Sequence, residues 1–438
     1  MRVVKSHPIN LTEKLKKQLL NWAQQFNEVI WLDSNNHIDG NSRFHGILAV
    51  DALTSIRTDF HQAFDQLEEY QSVTKDWIFG YLTYDLKNAL EVLSSNNFDG
   101  LQFSELFFFQ PKKIFFFFDH HVEMHYLKFV EEEMDIDLES ILCHSESRSI
   151  VAMNLNKTNQ NPTIKIHLRT SKDSYFEKLN NILYHIQQGD IYEANFCQEF
   201  YSEDTDIDPV KTYFHLNQIS ESPFATFLKL DDHYAISASP ERFISKKGNI
   251  VISQPIKGTA KRHGNSNEDR KIKEKLYQDP KERSENIMIV DLVRNDLSRF
   301  AEKGSVSVKE LCEVYSFKQV HQLISTVACN VSDTISPVTI LKCCFPMGSM
   351  TGAPKISAMK IIESHENTKR GLYSGSVGYI SPEGDFDFNV IIRSILYNKS
   401  NKYVSYSVGG AITSRSIPEK EYEECLVKAK AMREALEG

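Results

Sequence analysis

Ser239-Pro240-Glu241-Arg242-Phe243, Lys246-Lys247-Gly248-Asn249 and Gln254-Pro255-Ile256-Lys257-Gly258-Thr259-Ala260-Lys261-Arg262 follow one another in a single stretch whose reading decides the fold. The middle segment has the composition of a tight hairpin turn, and the apolar run over 250–256 alternates enough to be a strand. Lys257 stands directly before Gly258, where the backbone can approach a ligand closely. With the turn centred near Gly248-Asn249, Glu241 and Lys257 fall nearly opposite each other on neighbouring strands. A carboxylate facing an amine in this way is ordinarily a cross-strand ion pair. The hairpin alone therefore leaves two readings open, a structural pair or a lysine delivered to a site.

The rest of the chain bounds the answer. At 438 residues with 41% hydrophobic content it can bury a substantial core. A formal net charge of -9 and no outstanding basic run argue against a nucleic-acid partner. The most hydrophobic stretch, 106–118, is interrupted by Gln110-Pro111-Lys112-Lys113 and is too short to span a bilayer, so it reads as two buried strands around a turn and no membrane partner is expected. Seven cysteines without metal-type spacing, together with an N-terminus lacking an apolar signal segment, fit a cytoplasmic protein.

Strand-like runs at 29–32, 77–82 and 114–118 mix with a helix over 14–27 in the first 130 residues. Residues 131–170 lose this pattern and read as a variable connection, rich in Ser, Asn and Thr over 145–163. Beyond it, helices are expected over 172–188, 268–277, 281–300 and 419–437, and strands over 224–230, 234–238, 242–256, 375–380, 387–397 and 403–408. Mostly short turns between strands argue for α+β with large antiparallel sheets. Asp279-Pro280-Lys281-Glu282 and Ser416-Ile417-Pro418-Glu419 each look like a helix start with a capping box. Each helix then carries a carboxylate pair on one face, Glu282 with Glu285 and Glu421 with Glu424, a pattern that solvated helices also show. Gly348-Ser349-Met350-Thr351-Gly352-Ala353-Pro354-Lys355 leads into a helix whose free N–H groups suit an anion, with Pro354 in the first turn, and it lacks the ending of a nucleotide P-loop. Asp119-His120-His121 with Glu123 and His125 is rich in ligand-type residues, but strand alternation splits it between two faces.

Taken together, the Glu241, Lys257 and Ser349 segments, Glu285-Asn286 running into Asp291-Leu292-Val293-Arg294-Asn295-Asp296, and Asp387-Phe388-Asn389-Val390-Ile391-Ile392-Arg393 resemble the chorismate-utilising enzymes in order and spacing. That family includes anthranilate, aminodeoxychorismate, isochorismate and salicylate synthases, and the resemblance is specific from about Lys172 onward. It implies two large antiparallel sheets packed as a sandwich, flanked by helices, with the active site in a cleft. Residues 1–170 would form the N-terminal region and 171–438 the chorismate-binding catalytic region.

Within the family, Lys257 points to the members that aminate chorismate at C4, because anthranilate synthases typically carry alanine there. The implied reaction takes chorismate and ammonia to 4-amino-4-deoxychorismate, in folate and 4-aminobenzoate synthesis, with ammonia from a separate glutaminase subunit. Lys257 would attack C2 as a neutral amine, its pKa lowered by burial or nearby positive charge, and Glu241 would act as general acid and base. The resemblance further implies His321 near the C4 hydroxyl, and substrate contacts from Thr259, Ser349, Tyr373, Arg393, Gly409 and Gly410. It also implies Mg²⁺ on Glu282, Glu285, Glu421 and Glu424. Anthranilate formation is the nearest alternative, with isochorismate formation and a non-catalytic relative behind it. Glu193 departs from the lysine typical of isochorismate synthases and from the glutamine frequent in the C4-aminating members, and Gln254 stands where arginine is often found. Leu32-Asp33-Ser34 and Ser222-Pro223-Phe224 lie where part of the family binds tryptophan.

Overall fold

The computed structural model describes residues 1–37, 43–143 and 164–438. Every strand ladder among them is antiparallel, and the ladders join into one network. Its hinge is the pairing of Gly46–Thr58 with Leu106–Phe117 along their whole length. From Leu106–Phe117 one wing runs through Ile78–Leu82, Ser376–Ile380, Phe386–Asn389, Arg242–Lys247 and Ile250–Gln254 to Val320–Asn330, which also carries Ile256–Lys261 and Ser307–Ser316. From Gly46–Thr58 the other wing runs through Glu28–Asp33, Phe224–Leu230, His233–Ser239, Ser394–Asn398 and Tyr403–Thr413 to Glu193–Ser202.

The wings face each other. One apolar cluster joins Phe79, Phe108, Ile244 and Phe388 of the first wing to Ile30, Leu228 and Leu396 of the second. A second cluster lies behind the second wing, where Leu179, Tyr213 and Met432 of the helices Lys172–Gln188, Pro209–Ser220 and Pro418–Glu437 cover it. Each fully buried large apolar side chain contributes about 1.5–3 kcal/mol, so two such layers fix both sheet faces. This is the expected α+β sandwich flanked by helices, built from a single continuous strand network.

Four local expectations are corrected. Leu106–Phe117 is one strand, because Pro111 faces Ala52 at a bulge in the partner strand and costs the ladder little. Residues 387–397 are two strands, Phe386–Asn389 and Ser394–Asn398, broken where Arg393 takes a positive φ of 54°. Glu133–Cys143 is a helix that buries Met134 and Ile141, so this part of the proposed connection is regular structure, while 145–163 falls outside the described residues. The C-terminal helix starts at Pro418 with Ile417 as its cap, because Ser416 Oγ instead accepts the Thr413 N–H at 3.1 Å. Among the described residues no helix is long and apolar enough to cross a membrane.

Candidate active site

The hairpin forms with its turn at Gly248-Asn249, from Lys247 opposite Ile250 to Arg242 opposite Gln254. Pro255 has no N–H for the ladder and ends it. The chain resumes as Ile256–Lys261, still paired to Val320–Asn330 but no longer to Arg242–Lys247; with Arg242 opposite Gln254, Lys257 lies beyond Glu241, and the two form no ion pair. Between Ile256 and Thr259 the ladder bulges. Gly258 sits in that bulge at φ 95°, where a Cβ would meet Leu323 at 2.9 Å and Glu282 at 3.1 Å. The fully buried Asn286 fastens the bulge to the Pro280–Ser298 helix, donating to Lys257 O at 3.4 Å and Leu323 O at 3.2 Å while Ser325 donates to its Oδ1.

Lys257 Nζ lies 3.2 Å from Glu193 Oε1, with side chains 11% and 1% exposed. Burial alone would depress the ammonium, but Glu193, Glu285 and Glu241 outweigh it and hold the pKa above the ordinary value. The expected neutral amine is therefore an ammonium in the ligand-free chain. The second oxygen of Glu193, Oε2, is buried without a hydrogen-bond partner.

Glu241 is 4% exposed, and its backbone is pinned by Ser239 Oγ, which accepts its N–H at 3.2 Å, and by the Val390 N–H on its carbonyl at 3.0 Å. Burial pushes its carboxyl up to about 7, against the opposing pull of the Ser349 side chain, Lys257 and the Ile256 N–H. Glu241, Pro255, Met347, Gly348 and Ser349 line one small cavity. The neighbouring Arg242 points elsewhere, forking onto Asp387 at 2.9 and 3.0 Å.

Glu282 and Glu285 of Pro280–Ser298 face Glu421 and Glu424 of Pro418–Glu437. Burial raises Glu282, Glu285 and Glu421, and repulsion from a neighbouring glutamate adds to each, with Glu285 reaching about 7. Glu424 is lowered instead: burial is outweighed by Lys428, 2.7 Å away. Glu285 Oε1 is buried without a hydrogen-bond partner. Lys281 Nζ lies between the helices, 3.7 Å from Glu285 and 3.9 Å from Glu421. With lysines interposed, no three His, Cys, Asp or Glu side chains among the described residues form a ready-made metal cage. An orphaned carboxylate oxygen within a group of four carboxylates nevertheless fits a hard divalent cation. Gly410 backs this group, since a Cβ there would lie 3.4 Å from Glu421 and 3.9 Å from Glu424.

The Ser349 segment is stitched to Glu193–Ser202 by Gly352 opposite Ala194 and Ala353 opposite Glu193, and Pro354 is the N-cap of Lys355–His365 rather than its first turn. At Gly409 a Cβ would collide with Cys197 Sγ and Phe196 O, so only glycine lets the two strands approach. Tyr373 is buried with its hydroxyl 3.6 Å from Cys197 Sγ. Arg393 lies in the break before Ser394–Asn398 rather than on a strand. Burial lowers its pKa, with Tyr373 and Glu424 opposing, and its guanidinium makes no hydrogen bond or ion pair to another described residue.

Residues 8–434 match the profile of the chorismate binding enzymes. The chain belongs to that family. It is 34% identical over 363 residues to an anthranilate synthase component I-like protein of Synechocystis sp., covering 83% of this chain and 73% of that protein. It is 38% identical over 267 residues to aminodeoxychorismate synthase component 1 of Escherichia coli, a match covering 61% of this chain and only 58% of that protein. Among solved structures, anthranilate synthase component I from Streptococcus pneumoniae superposes with a TM-score of 0.74 at 26% identity, covering 90% of this chain and 93% of that one.

Not every residue expected to serve a chorismate-binding enzyme meets the others. His321 is 2% exposed, with Nδ1 on Ser316 Oγ at 2.8 Å and Nε2 on Asp269 at 3.1 Å, so both ring nitrogens are occupied away from Lys257. Thr259 is exposed and pairs across the ladder with Gln322, whose buried Oε1 has no hydrogen-bond partner. Gln322 and Lys281 escaped the sequence reading, although the ligand-rich helix start contains Lys281. Leu32, Asp33 and Ser34 do meet Pro223 and Phe224, in a separate pocket where Asp33 is taken by Lys16 at 2.8 Å. The Asp119 group does not gather into one site: Asp119 pairs with His45, while Glu123 lies between His125 at 3.0 Å and His121 at 3.7 Å.

Proposed function

We propose that this chain is the synthase subunit that aminates chorismate at C4, giving 4-amino-4-deoxychorismate for 4-aminobenzoate and folate synthesis. The observation that carries the reading is an amine, Lys257, buried in contact with Glu193 and close to a second carboxyl, Glu241, which burial holds near neutral pH. Lys257 first passes the proton it carries in the ligand-free chain to Glu193, 3.2 Å away, and as the free amine then bonds to C2; the ring double bonds shift, and Glu241 gives its proton to the departing C4 hydroxyl. Ammonia then bonds to C4, the double bonds return, the C2–N bond breaks, and Glu241 takes the proton released. Arg393 grips a substrate carboxylate through its unshared guanidinium. Glu282, Glu285, Glu421 and Glu424 would hold Mg²⁺, which when bound supplies positive charge against a substrate carboxylate. A separate glutaminase subunit supplies the ammonia.

Anthranilate formation is the second reading, favoured by the Synechocystis relative and the Streptococcus structure, but it leaves Lys257 without a task. The test is to incubate the chain with chorismate, Mg²⁺ and excess ammonia and to identify the product by chromatography and mass spectrometry. Aminodeoxychorismate supports the reading, and anthranilate or isochorismate overturns it. A Lys257→Ala chain that makes aminodeoxychorismate at the wild-type rate removes the covalent route.

A further inference from the structure

We propose that Lys281 is a built-in counter-ion for the glutamate group, standing where a divalent cation would act and competing with it. The inference rests on the reading that Glu282, Glu285, Glu421 and Glu424 hold Mg²⁺. Lys281 Nζ bridges the two helices that supply these residues, at 3.7 Å from Glu285 Oε1 and 3.9 Å from Glu421 Oε1. Both distances exceed that of a close charge-assisted hydrogen bond, so the ammonium is shared rather than seated on either oxygen.

The two other lysines beside the group are already committed. Lys428 is paired with Glu424 at 2.7 Å and donates to Gly409 O at 2.8 Å, and Lys257 is paired with Glu193 at 3.2 Å. Lys281 is thus the cation that holds the two acidic helix faces together in the metal-free chain. Its side chain is 39% exposed, so it can swing out to solvent when a cation of higher charge density takes the same oxygens. Mg²⁺ binds carboxylate oxygens at about 2.0–2.1 Å, a distance that leaves no room for an ammonium between the same two groups.

The test is calorimetric titration of Mg²⁺ into the full metal-free chain at fixed pH and ionic strength, with Lys281→Gln and Lys281→Arg alongside wild type. Lys281→Gln should bind Mg²⁺ about tenfold more tightly, as removal of one nearby positive charge requires, while Lys281→Arg stays near wild type. Without metal, Lys281→Gln should also unfold at a lower temperature, and saturating Mg²⁺ should close the gap. Equal or weaker Mg²⁺ binding by Lys281→Gln overturns the proposal. Absence of saturable Mg²⁺ binding by the wild-type chain instead overturns the metal reading beneath it.

Discussion

Arg370 and Glu366 meet in a buried two-point ion pair, Nε to Oε2 at 2.9 Å and Nη2 to Oε1 at 2.7 Å. The same guanidinium donates to Met350 O at 2.7 Å and Asn195 O at 2.6 Å, while Glu366 accepts the Cys197 N–H at 2.9 Å. The pair thereby rivets the Ser349 segment to the Glu193–Ser202 strand, which fixes the floor of the site. Arg370→Ala leaves a buried carboxylate without its counter-charge and two carbonyls without donors. The expected loss is about 3–5 kcal/mol of stability, read as a lower urea midpoint. Arg370→Lys should recover only part, since an ammonium cannot fork onto Glu366 while reaching both carbonyls.

The position of Glu241 fixes the sign of two pH effects. Its carboxyl titrates near 7, and the proposed chemistry needs it protonated when the hydroxyl leaves, so the hydroxyl-loss step should slow as pH rises above about 7. Glu241→Gln should cut turnover about 10²-fold or more. Stability follows linkage: a folded-state pKa raised from 4.5 favours the folded chain fully below that value, and the benefit is lost as pH rises through about 7. Glu241→Gln should therefore unfold at a higher temperature than wild type at pH 8 and show little advantage at pH 4. The reverse ordering would exclude a buried carboxyl that resists ionisation.

Glu193 is the largest of the charges that keep Lys257 protonated. Replacing it with glutamine retains an acceptor near Nζ and removes the charge, so burial gains ground and the lysine pKa should fall. Competitive acetylation of Lys257, followed by peptide mass spectrometry across a pH series, should show reactivity rising at lower pH in Glu193→Gln than in wild type. Coincident curves would mean that Glu285 and Glu241 suffice to hold the proton.

What the sequence disclosed was mostly local. The Gly248-Asn249 turn, the Lys172–Gln188 helix with its Ser171 and Gly189 caps, and the Asp279 cap accepting from Lys281 and Glu282 N–H depend on neighbours a few residues away. The Asp279 N–H bonds to Leu276 O, which leaves the Glu282 side chain free to join the glutamate group. The relationships that set charge were not legible, because they join distant segments. Glu193 meets Lys257 only because Glu193–Ser202 and the Ile256 bulge converge in space, and Lys281 finds Glu421 across two helices. Alternation sets only His120 apart from Asp119, His121, Glu123 and His125, and it could not reveal that His45, distant in sequence, takes Asp119, nor that a register with Arg242 opposite Gln254 carries Lys257 past Glu241.

Arg393 combines a strained backbone with an unshared charge, and the two can be separated by experiment. Its φ of 54° is unusual for a residue with a side chain and carries a cost of about 1–3 kcal/mol. No other described residue hydrogen-bonds or ion-pairs with the guanidinium, so the conformation is held by the surrounding strands and places the charge near Tyr373 and Glu424. Arg393→Gly should relieve the strain and raise the unfolding temperature, while raising KM for chorismate about tenfold or more through loss of a charge-assisted grip. Arg393→Lys keeps the charge and the strain, so its stability should match wild type while KM still rises, because an ammonium cannot hold a carboxylate at two points. If Arg393→Gly lost stability and left KM unchanged, the guanidinium would be a structural element rather than the grip on the substrate.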